Sequence, residues 1–203
     1  MSGVAAFPGR AADLFCTTGE DGTLRVWNAR HRNAHMLANG QRAVRAMGMP
    51  GCCCAVSPDA RAIAVGHEGG QFTVWDAESL LCGVENALRK RAVSALAFSP
   101  DGALLAVATR AGSVDLYSTR ERYRRLGGST EIHSTAVTAM DFAADGALLR
   151  SCDGAGRIAY WELPALRPFR GHESGLRDVE WHTENGIFRL RAPRPGTRPL
   201  RVT

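Results

Sequence analysis

Lysine is nearly missing from this 203-residue chain: Lys90 stands alone among 25 basic residues, so the positive charge is carried by arginine. No apolar run approaches the roughly 18 residues a membrane helix requires, so no membrane partner is expected. The opening MSGVAAFPGR lacks a basic flank leading into a long apolar core, which argues against a secretory leader and for a cytoplasmic protein. The six cysteines (Cys16, Cys52, Cys53, Cys54, Cys82 and Cys152) have no disulfide-framework spacing and are expected to be reduced. Even the triplet in GCCCAV makes a poor metal site. In a strand Cys53 faces away from Cys52 and Cys54, and no C-x-x-C or H-x-x-x-H partner lies nearby. Neither a metal nor another cofactor is expected. Also missing are G-x-S-x-G, H-E-x-x-H and any phosphate-binding loop, since the GEDG and DGAG turns are short and lead into no helix. Catalysis therefore has no recognisable centre, and the chain reads as a non-enzyme.

The formal charge of +5 is unevenly spread. Arg189, Arg191, Arg194, Arg198 and Arg201 lie in an acid-free, Arg/Pro-rich stretch over 189–203, and the remaining basic residues balance the 20 acids. Such a tail is expected to be solvated and poorly ordered. It contains no RNA-binding motif and no interleaved exposed aromatics, so nucleic acid is not read as a partner.

What is present is a repeat. GTLRVWN (22–28), GQFTVWD (70–76), GSVDLYS (112–118) and GRIAYWE (156–162) share a glycine, alternating apolar residues, an aromatic and a short polar end. The aromatics Trp27, Trp75, Tyr117 and Trp161 are separated by 48, 42 and 44 residues, close to the period of one four-stranded propeller blade. Each copy follows a short apolar strand: DLFCTTG, RAIAVGH, ALLAVAT or ALLRSC. Ahead of three of these, CCAVSPDA, VSALAFSPDG and VTAMDFAADG run into turns where proline presets φ and aspartate bonds its own backbone. Outer strands are expected near SLLCGVE, RYRRLGG and ALRPFRG. Period-2 alternation without helical periodicity makes the chain all-β. The repeat aromatics are expected to fill the widening gap between blades.

The repeats resemble the WD-repeat family. The first blade carries Thr17, Asp21 and Trp27, which match three members of that family's structural tetrad, and Asp76 completes the sole Trp-Asp pair. Tyr117 stands in place of a tryptophan, and Gly69 or a neighbour stands where the second blade's aspartate belongs. His133 and His172 precede inner strands, where the resemblance implies a structural histidine. Taken in order, FPGRAADLFCTTGEDGTLRVWN, SPDARAIAVGHEGGQFTVWDAES, AVSALAFSPDGALLAVATRAGSVDLYS and EIHSTAVTAMDFAADGALLRSCDGAGRIAYWELP resemble the second propeller of the echinoderm microtubule-associated protein-like family. LRDVEWHTENGIF resembles the Asp-x-x-Trp-x-Thr stretch opening the next blade. The fold class expected is a partial WD-repeat β-propeller over 1–188, with blades near 4–40, 50–86, 92–128 and 134–170 and a fifth beginning at 176. Four blades and a start do not close a propeller of seven, so further blades or a partner are expected to complete it.

The resemblance implies a cytoskeletal scaffold in the cytoplasm or an axoneme, binding tubulin or microtubules and other proteins. Tubulin is acidic, so Arg89, Lys90 and Arg91 in one loop, and Arg120, Arg122, Arg124 and Arg125 at an outer strand, are the candidate partner-binding residues. A general WD-repeat adaptor in a ciliary or signalling assembly is the alternative.

Overall fold

The computed structural model describes residues 3–9, 13–29, 41–87, 91–129, 133–171, 173–176 and 178–183. They form four antiparallel sheets of four strands each, and every sheet is a meander in chain order. The first holds β1 (Gly3–Ala6), β2 (Leu14–Thr18), β3 (Thr23–Asn28) and β4 (Gln41–Ala46). The second holds β5 (Gly51–Val56), β6 (Ala62–His67), β7 (Gln71–Asp76) and β8 (Cys82–Ala87). The third holds β9 (Val93–Phe98), β10 (Leu104–Thr109), β11 (Val114–Ser118) and β12 (Arg124–Ser129). The fourth holds β13 (Val137–Phe142), β14 (Leu148–Asp153), β15 (Ile158–Glu162) and β16 (Arg167–Pro168).

Local chemistry explains the meanders. Ser57 donates to Asp59 Oδ1 (2.6 Å), which also accepts the Arg61 amide, while Ser57 Oγ accepts the Ala62 amide (2.9 Å). Ser99 and Asp101 repeat this arrangement one blade later, at 2.6 Å and 2.9 Å. The serine hydroxyl beside each carboxyl is the main reason Asp59 and Asp101 are held below the usual carboxylate range. These bonds satisfy backbone groups that the hairpin reversal takes out of the ladder.

Packing follows from strand alternation. β1 lies beside β5, β5 beside β9 and β9 beside β13, with no comparably close packing from β13 back to β1 among the described residues. Three cores fill the gaps: Leu24, Val26 and Ile63 between the first two sheets, Phe72, Leu105 and Tyr117 between the next two, and Leu116, Phe142 and Trp161 between the last two. A cavity of about 670 Å³ runs along the inner strands, bordered by Phe7, Cys54, Val56, Leu96, Phe98 and Met140.

One boundary differs from the sequence expectation. The first sheet's outer strand begins at Gln41, beyond the expected limit of 40, because the β3–β4 connection spans residues 29–40 where β7–β8 needs only 77–81. The fifth blade has no inner strand among the described residues. Around the expected start at 176 the described residues form a 3-10 turn, Glu173–Leu176, and an antiparallel bridge from Trp181 to Ala143. This segment pairs with the inner-strand edge of the fourth sheet: Ala144 N donates to Glu180 O and His182 N to Phe142 O. The tail 189–203 lies outside the described residues.

Candidate protein-interaction surface

The meander places the candidate arginines on opposite rims. In each sheet the β9-type strand starts at one rim and the third-to-fourth hairpin turns at the other, because successive strands reverse direction. Arg91 precedes β9 and is exposed at the first rim, whereas Arg120 and Arg122 occupy the β11–β12 turn at the second. Arg89 and Lys90 lie outside the described residues. Arg91 is therefore not brought together with Arg120 and Arg122.

Within the β11–β12 hairpin the arginines do different things. Arg125 donates to Asp115 Oδ1 twice, from Nε at 2.9 Å and Nη2 at 2.6 Å, and Asp115 is completely buried. Arg125, itself exposed at the blade's outer strand, is thus needed to neutralise a carboxylate that has left water. Arg124 pairs with Glu121 across the turn, and Arg120 lies 3.9 Å from Asp101 with both groups exposed. Arg122 sits exposed at the tip with φ of 51°. The next residue, Tyr123, fixes the turn to the second sheet. Its ring meets Phe72 edge-on at 6.2 Å, and its carbonyl accepts Asn86 Nδ2–H at 2.9 Å. Pro58, Asp59, Phe98, Asp101, Thr119 and Tyr123 border a 420 Å³ groove beside it.

The repeat aromatics anchor the blades unequally. Trp75, Tyr117 and Trp161 are buried, while Trp27 is half-buried on the open face of the first sheet, stacked on Phe15 at 6.1 Å. Each tryptophan N–H finds a hydroxyl: Trp27 to Thr17 (2.8 Å), Trp75 to Thr73 (2.8 Å) and Trp161 to Ser151 (2.9 Å). In two blades the chain continues into an imidazole. His67 Nε2 is 2.8 Å from Thr73 Oγ1 and its Nδ1 3.0 Å from the Pro50 carbonyl. His133 Nε2 is 2.7 Å from Ser151 Oγ and its Nδ1 3.3 Å from Asp153 Oδ2, a looser electrostatic contact. Because a carbonyl or carboxylate faces Nδ1, that nitrogen carries the proton and Nε2 accepts from the hydroxyl. Burial holds both imidazoles below their ordinary value.

Sequence reasoning missed these networks because the residues come from different strands. The second blade draws its hydroxyl from the third strand, and the fourth draws it from the second strand. Asp21 does not extend the Trp27–Thr17 pair; it caps its own turn through the Thr23 amide and hydroxyl and through Arg25. The order hydroxyl, imidazole, carboxylate at Ser151, His133 and Asp153 has the form of a nucleophilic triad. Its hydroxyl, however, is fully buried beneath Trp161 and borders neither cavity described above. Its place is in packing.

The last described segment makes a second polar junction. Thr183 donates from its amide (3.1 Å) and hydroxyl (2.8 Å) to Asp141 Oδ1, and Arg150 Nη2 donates to Asp141 Oδ2 (2.8 Å). The Arg150 guanidinium lies 4.2 Å over the Trp181 ring, which also meets Tyr160 at 6.0 Å. The Trp-x-Thr part of the sequence motif is thus what grips the open face of the fourth sheet.

Sequential four-stranded meanders packed through their inner strands, with an aromatic on every third strand, define a WD-repeat β-propeller, here over four blades. Residues 1–192 match the echinoderm microtubule-associated protein second beta-propeller, and the chain belongs to that family. Its relatives include echinoderm microtubule-associated protein-like 4 of Xenopus tropicalis, 28% identical over 89% of this chain and 19% of the relative. The Homo sapiens counterpart is 27% identical over 89% of this chain and 18% of its own length. A ciliary WD repeat-containing protein, ctxp80, of Euplotoides octocarinatus is 26% identical over 87% of this chain and 26% of the relative. The chain thus spans about a fifth of the first relatives' length.

Proposed function

We propose that this chain is a non-enzymatic interaction module that binds tubulin or microtubules. Membership of a microtubule-associated propeller family is the observation that carries the reading. The architecture supports it physically, since loops on a rigid β frame offer a shaped surface without a reaction centre. The β11–β12 turn is the preferred contact. Arg120 and Arg122 are exposed there, on a turn held in place by Tyr123, and tubulin is acidic. Arg91 on the opposite rim is the lesser candidate. The proposed place of action is the cytoskeleton, cytoplasmic or axonemal. A WD-repeat adaptor role in a ciliary assembly is the second reading, favoured by the ciliary relative.

Co-sedimentation of the soluble chain with taxol-stabilised microtubules, at low and near-physiological salt, tests the proposal. Pelleting that survives physiological salt is expected. Pelleting only at low salt marks nonspecific charge attraction, because exposed charges are screened beyond about 8 Å at physiological ionic strength. No pelleting by a folded chain overturns the tubulin reading and leaves the adaptor.

A further inference from the structure

We propose that Cys16 and Cys54 are an oxidisable dithiol that closes into a disulfide between the first two blades when a hydroperoxide enters the axial cavity. The inference is independent of the partner proposed above. Cys16 lies on β2 and Cys54 on β5, and their sulfurs are 3.8 Å apart across the blade interface. Cys16 is fully buried, whereas Cys54 is only partly buried and borders the cavity. Their neighbours cannot substitute. Cys53, on the same strand, faces the opposite core, against the third blade. Cys52 is the extra residue of a β-bulge, between Gly51 paired with His67 and Cys53 paired with Gly66. Cys82 and Cys152 lie in other sheets or strands, on β8 and β14.

The two sulfurs have different roles. The hydrogen-bonded contact between the two thiols holds Cys16 below the ordinary thiol value, and the same contact together with burial holds Cys54 above it. Cys54 meets the oxidant first. Its sulfur attacks the peroxide O–O bond, forming an S–OH group and releasing the alcohol or water. The Cys16 thiolate then attacks the Cys54 sulfur. The S–S bond forms, the S–O bond breaks, and hydroxide leaves as water with the thiol proton. Two electrons pass from the thiols to the peroxide, and one disulfide and one further water result. The first step is bimolecular, so closure tracks oxidant concentration. Once closed, the bond ties β2 to β5 and removes freedom from the unfolded chain.

The test treats the full reduced chain with a small excess of hydrogen peroxide, alkylates the remaining thiols in denaturant, and maps tryptic peptides by mass. The expected product is a crosslink between the peptides 11–25 and 46–61, assigned to Cys54 by fragmentation and reversed by dithiothreitol. Cys16 alkylation should fall at least about tenfold, and Tm should rise by about 10 °C. Cys52→Ser and Cys53→Ser retain the crosslink and Cys54→Ser loses it. Mapping the wild-type chain alone decides the matter if a variant does not fold. Cys16 remaining fully alkylated while Cys52, Cys53 or Cys82 oxidises overturns the proposal, as does a crosslink to Cys52 or Cys53.

Discussion

At the residue scale, stability hangs on hydroxyls that connect a tryptophan N–H to a buried imidazole. Ser151→Ala removes a group that serves both Trp161 and His133 and leaves two buried polar atoms without a partner. The expected loss is about 2–4 kcal/mol, a large share of the 5–15 kcal/mol typical of a folded domain. Ser151→Thr, which keeps the hydroxyl, should recover part of it; urea midpoints measure both. The imidazoles also set a pH dependence. Burial lowers His67 and His133 from 6.5, so the unfolded chain binds protons that the native chain refuses. Their stabilisation is complete above about pH 6.5 and is lost as pH falls from there toward the native values. Each contributes up to about 1.4 kcal/mol per pH unit in that window. Denaturant midpoints at pH 7.5 and 5.5 should differ, and His67→Gln with His133→Gln should flatten the difference. The carboxylates Asp59 and Asp101, held low mainly by their serine partners, act in a separate window at more acidic pH.

At the element scale, the turns are not equivalent although their sequences look alike. Gly112 and Gly146 both have positive φ, 81° and 73°. A Cβ on Gly112 would sit 2.1 Å from the His133 carbonyl oxygen, which is backbone of the next blade's approach, whereas a Cβ on Gly146 meets nothing within 4 Å. Gly146→Ala is expected to cost only the conformational term of about 1 kcal/mol. Gly112→Ala must also move backbone at a blade junction, so loss of soluble folded protein is expected. Thermal melts of the two variants side by side make the comparison. The segment 178–183 shows the same dependence on neighbours. Its apolar and polar residues hold it to the fourth sheet, through Arg150 and Asp141.

At the scale of the whole molecule, the four blades form an arc with distinct rims, so a binding surface on one rim is independent of charge on the other. Arg120→Glu with Arg122→Glu should reduce the microtubule-pelleted fraction several-fold at physiological salt, while Arg91→Glu leaves it nearly unchanged. The same loss from Arg91→Glu would point to overall charge instead of a located contact. Arg125 is a poor choice for this experiment. Its removal takes two hydrogen bonds from the buried Asp115 carboxylate, and loss of binding would then report unfolding.

Fold class was legible from the sequence because it rests on local periodicities: alternation along each strand, turn residues at the hairpins, and an aromatic recurring at the blade period; the family was legible only as a resemblance carried by those segments in order. Those features act within a few residues of one another or repeat at a constant interval. The pairing of Ser151, His133 and Asp153, the pairing of Arg125 with Asp115, the separation of Arg91 from Arg120, and the approach of Cys16 to Cys54 were not legible. Each joins residues from different strands or blades, and only the packing angle and register of the sheets brings them within hydrogen-bonding distance or carries them to opposite rims. Local pattern determined what each strand would be; the tertiary structure alone decided which polar side chains would meet, because burial makes an unpartnered group costly and leaves the pairing to geometry.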